Sequence, residues 1–295
     1  MTLNKRRAFQ FLGVLGTLAC LTVFILKPSF PTPDKLFIFF LFVFAAFSQA
    51  WQMTKRILPF VAVILVYESF RSVADQLNSH VNYTFAPHVD KFLFGQLPTA
   101  SLQKWLWHGH VQWYDVALYI PYLLFFLAPL LLAILIWKTR DRFYWQAVTS
   151  FCLLFFMAFL TFLLFPAAPP WLASNNHVIA PITRISSYVW SSLGIQNFPS
   201  VYNHLSPNSV AAIPSLHAAA SSLFSIYIFK LYGRRWGSLS LLYPVILCFG
   251  VIYEGEHYFT DVLIGIIYAT AAYLVTPTLL RYFQRLKASL AHSFS

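Results

Sequence analysis

Charge is what this chain has least of. Asp, Glu, Lys and Arg make up 10% of its residues against 59% hydrophobic, and only nine residues are acidic. A soluble domain ordinarily carries about a quarter charged residues, so the composition argues against one anywhere along the chain. Cysteine is just as scarce. Cys20, Cys152 and Cys248 all fall inside apolar runs, so each reads as a small buried hydrophobe and none argues for a disulfide framework. No repeat of fixed period is present, and no His-Glu-x-x-His cluster of the kind that binds zinc.

What the chain has instead is apolar length. Runs read against breakers place spans near Ala8–Leu26, Leu36–Trp51, Ile57–Leu77, Asp115–Trp137, Tyr144–Phe165, Ala211–Leu231, Leu239–Tyr253 and Val262–Leu280. Leu36–Trp51 is short, as a tilted or partly re-entrant helix would be. The expected fold is an all-α polytopic membrane protein of about eight transmembrane helices. Residues 1–56 form N-terminal helices, 57–283 the membrane domain and 284–295 a tail.

Eight crossings return both termini to one side, and charge gives an independent check. Fourteen of the twenty basic residues, including Lys5, Arg6, Arg7, Lys55, Arg56, Arg140, Arg142, Arg234 and Arg235, lie on the terminal side, whereas eight of the nine acids lie opposite. The positive-inside rule makes both termini cytoplasmic and suits a plasma (inner) membrane. The net charge of +11 is spread as short juxtamembrane clamps that fit anionic lipid headgroups, so nucleic acid is not an expected partner. The first span could be a signal peptide, and Thr17-Leu18-Ala19-Cys20 loosely resembles a lipoprotein cleavage box; its length favours a retained helix.

Two outward segments are long, Asn78 to Tyr114 and Pro166 to Val210. In the first, Thr99 to Trp107 reads as a capped helix, either lying in the headgroup layer or packed on the bundle. In the second, Pro166, Pro169 and Pro170 stop the fifth span, and a stretch rich in Asn, Ser and Pro follows, a lid or acceptor-binding element or else a connector.

Chemistry concentrates at two lips of apolar runs: Pro214-Ser215-Leu216-His217, and Glu256-His257-Tyr258-Phe259-Thr260-Asp261. Ionisable groups are costly near hydrocarbon, so their presence there suggests a site. With Pro214 in the first helical turn, Ser215 and the free N–H groups of Leu216 and His217 make an anion site; the competing reading is a proline–serine cap with an interfacial histidine. His257 and Asp261 are four apart and share a helix face, so the carboxylate can hold one ring nitrogen and leave the other free as a nucleophile. Span parity puts both histidines at one membrane depth.

These motifs resemble the type-2 phosphatidic acid phosphatase superfamily, with its Pro-Ser-x-His and terminal His-x3-Asp. The resemblance is closer to the inositol phosphorylceramide synthases and their bacterial relatives through Phe165-Pro166-Ala167-Ala168-Pro169-Pro170-Trp171, Ala212-Ile213-Pro214-Ser215-Leu216-His217 and Glu256 to Asp261. It implies a six-helix core formed by the later spans, attack of His257 on a lipid phosphate, support by Asp261, protonation of the leaving oxygen by His217 and no metal or other cofactor. Two features depart from that pattern. The first motif, Lys-x6-Arg-Pro, is absent, and the third-motif Ser-Arg pair falls on Gly250 and Val251.

Charge stabilisation must then come from elsewhere. Arg71, at helical spacing from Glu68 and Asp75, is the candidate phosphate-binding cation; the competing reading is a self-contained ion network. Tyr67, Asn208 and Arg184 are secondary candidates. Glu254 and Glu256 flank the nucleophile, placed to tune it, to contact an acceptor hydroxyl or simply to be solvated. Eight outward histidines, His108 and His110 among them, raise a zinc site that the scattered spacing disfavours. The function expected is a lipid phosphotransferase moving a phosphoryl-linked headgroup, inositol phosphate for one, from a phospholipid donor to a lipid or polyol hydroxyl. The alternatives are a lipid phosphate phosphatase using water and, from another class, a transporter or scaffold.

Overall fold

The computed structural model describes residues 3–29, 31–194 and 208–293. Among them the chain is helical, with only isolated bridges joining Asn82 to Ala167 and Ala167 to Ala211. The long rods are α1 (Leu3–Leu26), α2 (Pro33–Ala46), α3 (Ala50–Leu77), α6 (Trp113–Leu123), α7 (Leu127–Thr139), α8 (Tyr144–Leu164), α11 (Leu216–Ser240), α12 (Leu242–Tyr253) and α13 (Phe259–Ser293). Shorter helices sit in the two long segments: α4 (Phe85–Phe94) and α5 (Pro98–Leu106) in the first, α9 (Pro170–Asn175) and α10 (Ile185–Ser192) in the second. Prolines open α2, α5 and α9, where a missing N–H costs nothing. The expected Thr99 cap is therefore not the start of α5, which begins one residue earlier behind Leu97.

Among the described residues three helices are long and apolar enough to cross a membrane unaided, and five segments qualify if α6–α7 and α11–α12 each count as one bent span. The expected eight is not reached on this measure. At 14 residues α2 is about 21 Å long, short of a core of roughly 30 Å, and α3 carries Lys55, Arg56, Glu68 and Arg71. α6 and α7 are one apolar run broken at residues 124–126 with a 50° bend.

The α11–α12 run folds back on itself. Gly233 breaks it with φ 85° and ψ 178°, a backbone region open to glycine at no steric cost. Beyond it the chain returns alongside: Ser225 Oγ donates to the Ser240 carbonyl at 2.9 Å, and Phe224 meets Tyr243 edge-on at 5.7 Å. The start of α11 and the end of α12 consequently lie at the same end of the bundle.

The main core is assembled from α2, α3, α7, α8, α11 and α13, around fully buried Ile57, Phe60, Phe151, Leu154, Leu223 and Tyr227. Leu164, Val245 and Ile25 are among many large apolar side chains left exposed at the perimeter, an arrangement suited to hydrocarbon and costly in water.

Candidate active site

The site forms where α11 begins and α13 begins. Ser215 is the N-cap of α11 and its Oγ accepts from Ala218 N at 3.3 Å; Pro214 therefore precedes the helix rather than lying in its first turn. Ser215 N donates to the Asp261 carbonyl at 3.0 Å, stitching the two motifs by their backbones. Gly265 on α13 lies so close to the Ser215 carbonyl that any Cβ there would collide with it. Leu216 and His217 occupy the first turn, where amide groups have no partner four residues back.

The break between α6 and α7 frames His217. Its ring stacks on Tyr122 at 4.2 Å and packs tilted against Phe125 at 4.6 Å, so most of the residue is covered. His257 is held from the backbone: the amides of Glu256 and His257 both donate to the Val251 carbonyl at 3.0 Å. The preceding Gly255 has φ 80°, and a Cβ would fall 2.8 Å from the Thr183 carbonyl, so glycine is required twice over.

His257 Nδ1 lies 3.4 Å from Asp261 Oδ2, longer than a good hydrogen bond but close enough to fix which nitrogen faces the carboxylate. The same oxygen accepts from Tyr258 N at 2.9 Å. With Nδ1 turned to Asp261, Nε2 is the nitrogen left for chemistry. The two imidazole centroids are 5.7 Å apart.

Asp90 on α4 was not read from the sequence as part of the site. It accepts from Phe259 N and Thr260 N at 2.9 Å each and from the Thr260 hydroxyl at 2.6 Å, capping α13 from another helix. Buried Gln103 on α5 acts similarly, bonding Thr183 N at 2.9 Å, Thr183 O at 2.7 Å and Tyr253 O at 2.9 Å. One local signal was available: Gln112 and Asp115 form a capping box at the start of α6, and Asp115 also accepts from the Tyr253 hydroxyl at 2.7 Å.

Arg71 donates from Nε to Glu68 at 2.8 Å. The side chain of Asp75, the other expected partner, lies outside the described residues. Asn208 binds backbone, giving a hydrogen bond to the Arg71 carbonyl and taking one from Val210 N, both at 3.0 Å. Tyr67 is buried and stacked on Phe155 at 5.2 Å.

Arg184 forks onto Glu256 at 2.7 and 3.2 Å and lies over Trp171, while Ser186 also donates to Glu256. That pair is internally compensated. Glu254 differs: it is fully buried with neither carboxylate oxygen hydrogen-bonded among the described residues. Burial, with Glu256 and Asp115 adding to it, holds its carboxyl well above the usual carboxylate range. Among the described residues no group of three His, Cys, Asp or Glu side chains is placed to hold a metal.

A family model described as the PAP2 superfamily matches residues 88–275. Phosphoinositol dihydroceramide synthase of Bacteroides thetaiotaomicron is 27% identical over 253 residues, covering 80% of each chain. No solved structure matches.

Proposed function

The chain belongs to the PAP2 superfamily, whose model spans well over half of it, and from that premise we propose that it is a membrane phosphotransferase acting on lipid phosphoesters through a phosphohistidine. The observation that carries this reading is the meeting of His217 and His257 at 5.7 Å with Asp261 behind the second ring.

In the first half-reaction His257 Nε2 attacks the phosphorus of a phospholipid. The phosphorus–oxygen bond to diacylglycerol breaks, and the departing oxygen takes a proton from His217. In the second, an acceptor hydroxyl passes its proton to His217 and attacks the same phosphorus, freeing His257. Asp261 holds the tautomer and stabilises the ring as it gains positive character. Negative charge building on the phosphoryl oxygens meets the first-turn amides of α11 and Arg71.

The similarity to a phosphoinositol dihydroceramide synthase favours a phosphoinositol headgroup and a ceramide-like acceptor. Water as acceptor would make the same site a phosphatase, a second reading that uses the same His217, His257 and Asp261. The charge asymmetry of the sequence favours cytoplasmic termini, an exofacial site and eight crossings. Purified protein incubated with phosphatidylinositol, with and without ceramide, separates the readings: a phosphoinositol lipid formed only with ceramide supports transfer, and free inositol phosphate in both samples supports hydrolysis. No product in either overturns both.

A further inference from the structure

An apolar cleft is lined by residues adjacent in the chain to those that hold the His217 ring. Tyr122 and Phe125 hold the ring, and their neighbours Leu123, Leu124 and Leu127 form one wall of a cavity of about 910 Å³. The opposite wall is made by α1 and α2, including Cys20 and Ile38, which precede the residues matched by the family model. Gly13 and Gly16 lock those two helices together, because a Cβ on either would collide with Ala46 or Phe42. The cleft is therefore bounded by a packed helical hairpin. Its lining includes Ser29 and Lys35, which are hydrogen-bonded at 3.2 Å, and Lys35 is the single charged residue there.

We propose that this cleft holds an acyl chain of the donor phospholipid, seating the diacylglycerol half of the substrate beside His217. The inference rests on the phosphotransfer reading and extends it to the lipid half of the substrate. In-line displacement puts attacking and departing groups at opposite poles of the phosphorus. With His257 at the attacking pole, the diacylglycerol oxygen is at the His217 pole, and its chains must leave on that side. The cleft runs from the end of α1 back to Ala19 and Cys20, about 10 Å by helical rise, a depth within one leaflet of a core roughly 30 Å thick. The cavity volume falls in the range of small-molecule sites. A lysine in an otherwise apolar lining favours an anionic lipid over a neutral one.

Leu124→Trp and Ile38→Trp fill the cleft from opposite walls. In mixed micelles each is expected to raise KM for dipalmitoyl phosphatidylinositol about tenfold more than KM for the dioctanoyl form, the equivalent of roughly two buried methylenes. Melting temperature and kcat should stay close to wild type. Equal KM changes for the two donors, with folded protein, would overturn the proposal. Independently of turnover, phosphatidylinositol carrying a diazirine on its acyl chain should crosslink to peptides covering Ala19–Phe24 or Leu36–Phe39; crosslinks confined to other helices would also overturn it. A wild-type protein inactive on every phospholipid would sink the phosphotransfer reading instead, leaving the cleft to be judged by the crosslink.

Discussion

His217 and His257 face one another with centroids 5.7 Å apart and planes inclined by 57°, although one opens α11 and the other precedes α13. Two imidazoles this close can both act on one phosphoryl group bound beside them, which is what the proposed transfer requires.

Removing the attacking ring should therefore stop turnover without unfolding the protein. His257→Ala is expected to cut headgroup transfer by about 10³-fold or more, and Asp261→Asn by about 10²-fold or more, since the amide can favour the wrong tautomer. Product lipids quantified by mass spectrometry, beside a melting curve, give the readout. Wild-type transfer by His257→Ala would rule out the nucleophile.

Loss of the cap supplied by Asp90 is a different kind of damage. Asp90→Ala leaves the amides of Phe259 and Thr260 and the Thr260 hydroxyl without their partner, at a cost of about 1 to 3 kcal/mol. Because the start of α13 carries Asp261, kcat should fall while KM for the donor changes little. A lowered melting temperature with unaltered kcat would confine Asp90 to stability.

Arg71→Ala is expected to lower kcat/KM about 100-fold, the equivalent of roughly 2.7 kcal/mol, within the range for hydrogen bonds to charged groups. Arg71→Lys should recover only part, because lysine lacks the planar fork. Steady-state kinetics with phosphatidylinositol decide it; a full rescue by lysine would leave charge alone as the requirement.

Glu254 predicts a pH dependence of stability. Its carboxyl is held above an ordinary value near 4.5, so the folded protein binds this proton more tightly than the unfolded chain does. The contribution is fully present below about 4.5 and is lost as pH rises through the raised folded value. Glu254→Gln cannot ionise, and its advantage in melting temperature over wild type should grow from pH 5 to pH 9. An advantage constant with pH would mean that Glu254 is not buried as a neutral acid.

Much of the fold was legible because hydrophobic length and turn residues act locally. The ends of α8 agree with the sequence reading within a residue, and both histidine motifs lie at helix starts. Pro214, however, precedes α11 and His257 lies two residues ahead of α13, so His257 meets Asp261 across the helix N-terminus and not along one helix face. Short helices α4, α9 and α10 were missed: each has fewer than a dozen residues and is held chiefly by contacts with other segments, as α4 is through Asp90. The single run read over Asp115–Trp137 exists as two helices, and the break between them is what meets His217.

The amino-acid order by itself determined that the chain is a bundle of apolar helices and that His217, His257 and Asp261 stand at helix ends, since hydropathy and breaker residues need no distant partner. Only the tertiary structure decided that Tyr122 and Phe125 cradle His217, that Asp90 caps α13, that Arg184 neutralises Glu256 and that a cleft opens behind the site. Each of those depends on residues far apart in the chain meeting in a packed interior, and no local pattern encodes which distant side chain will arrive.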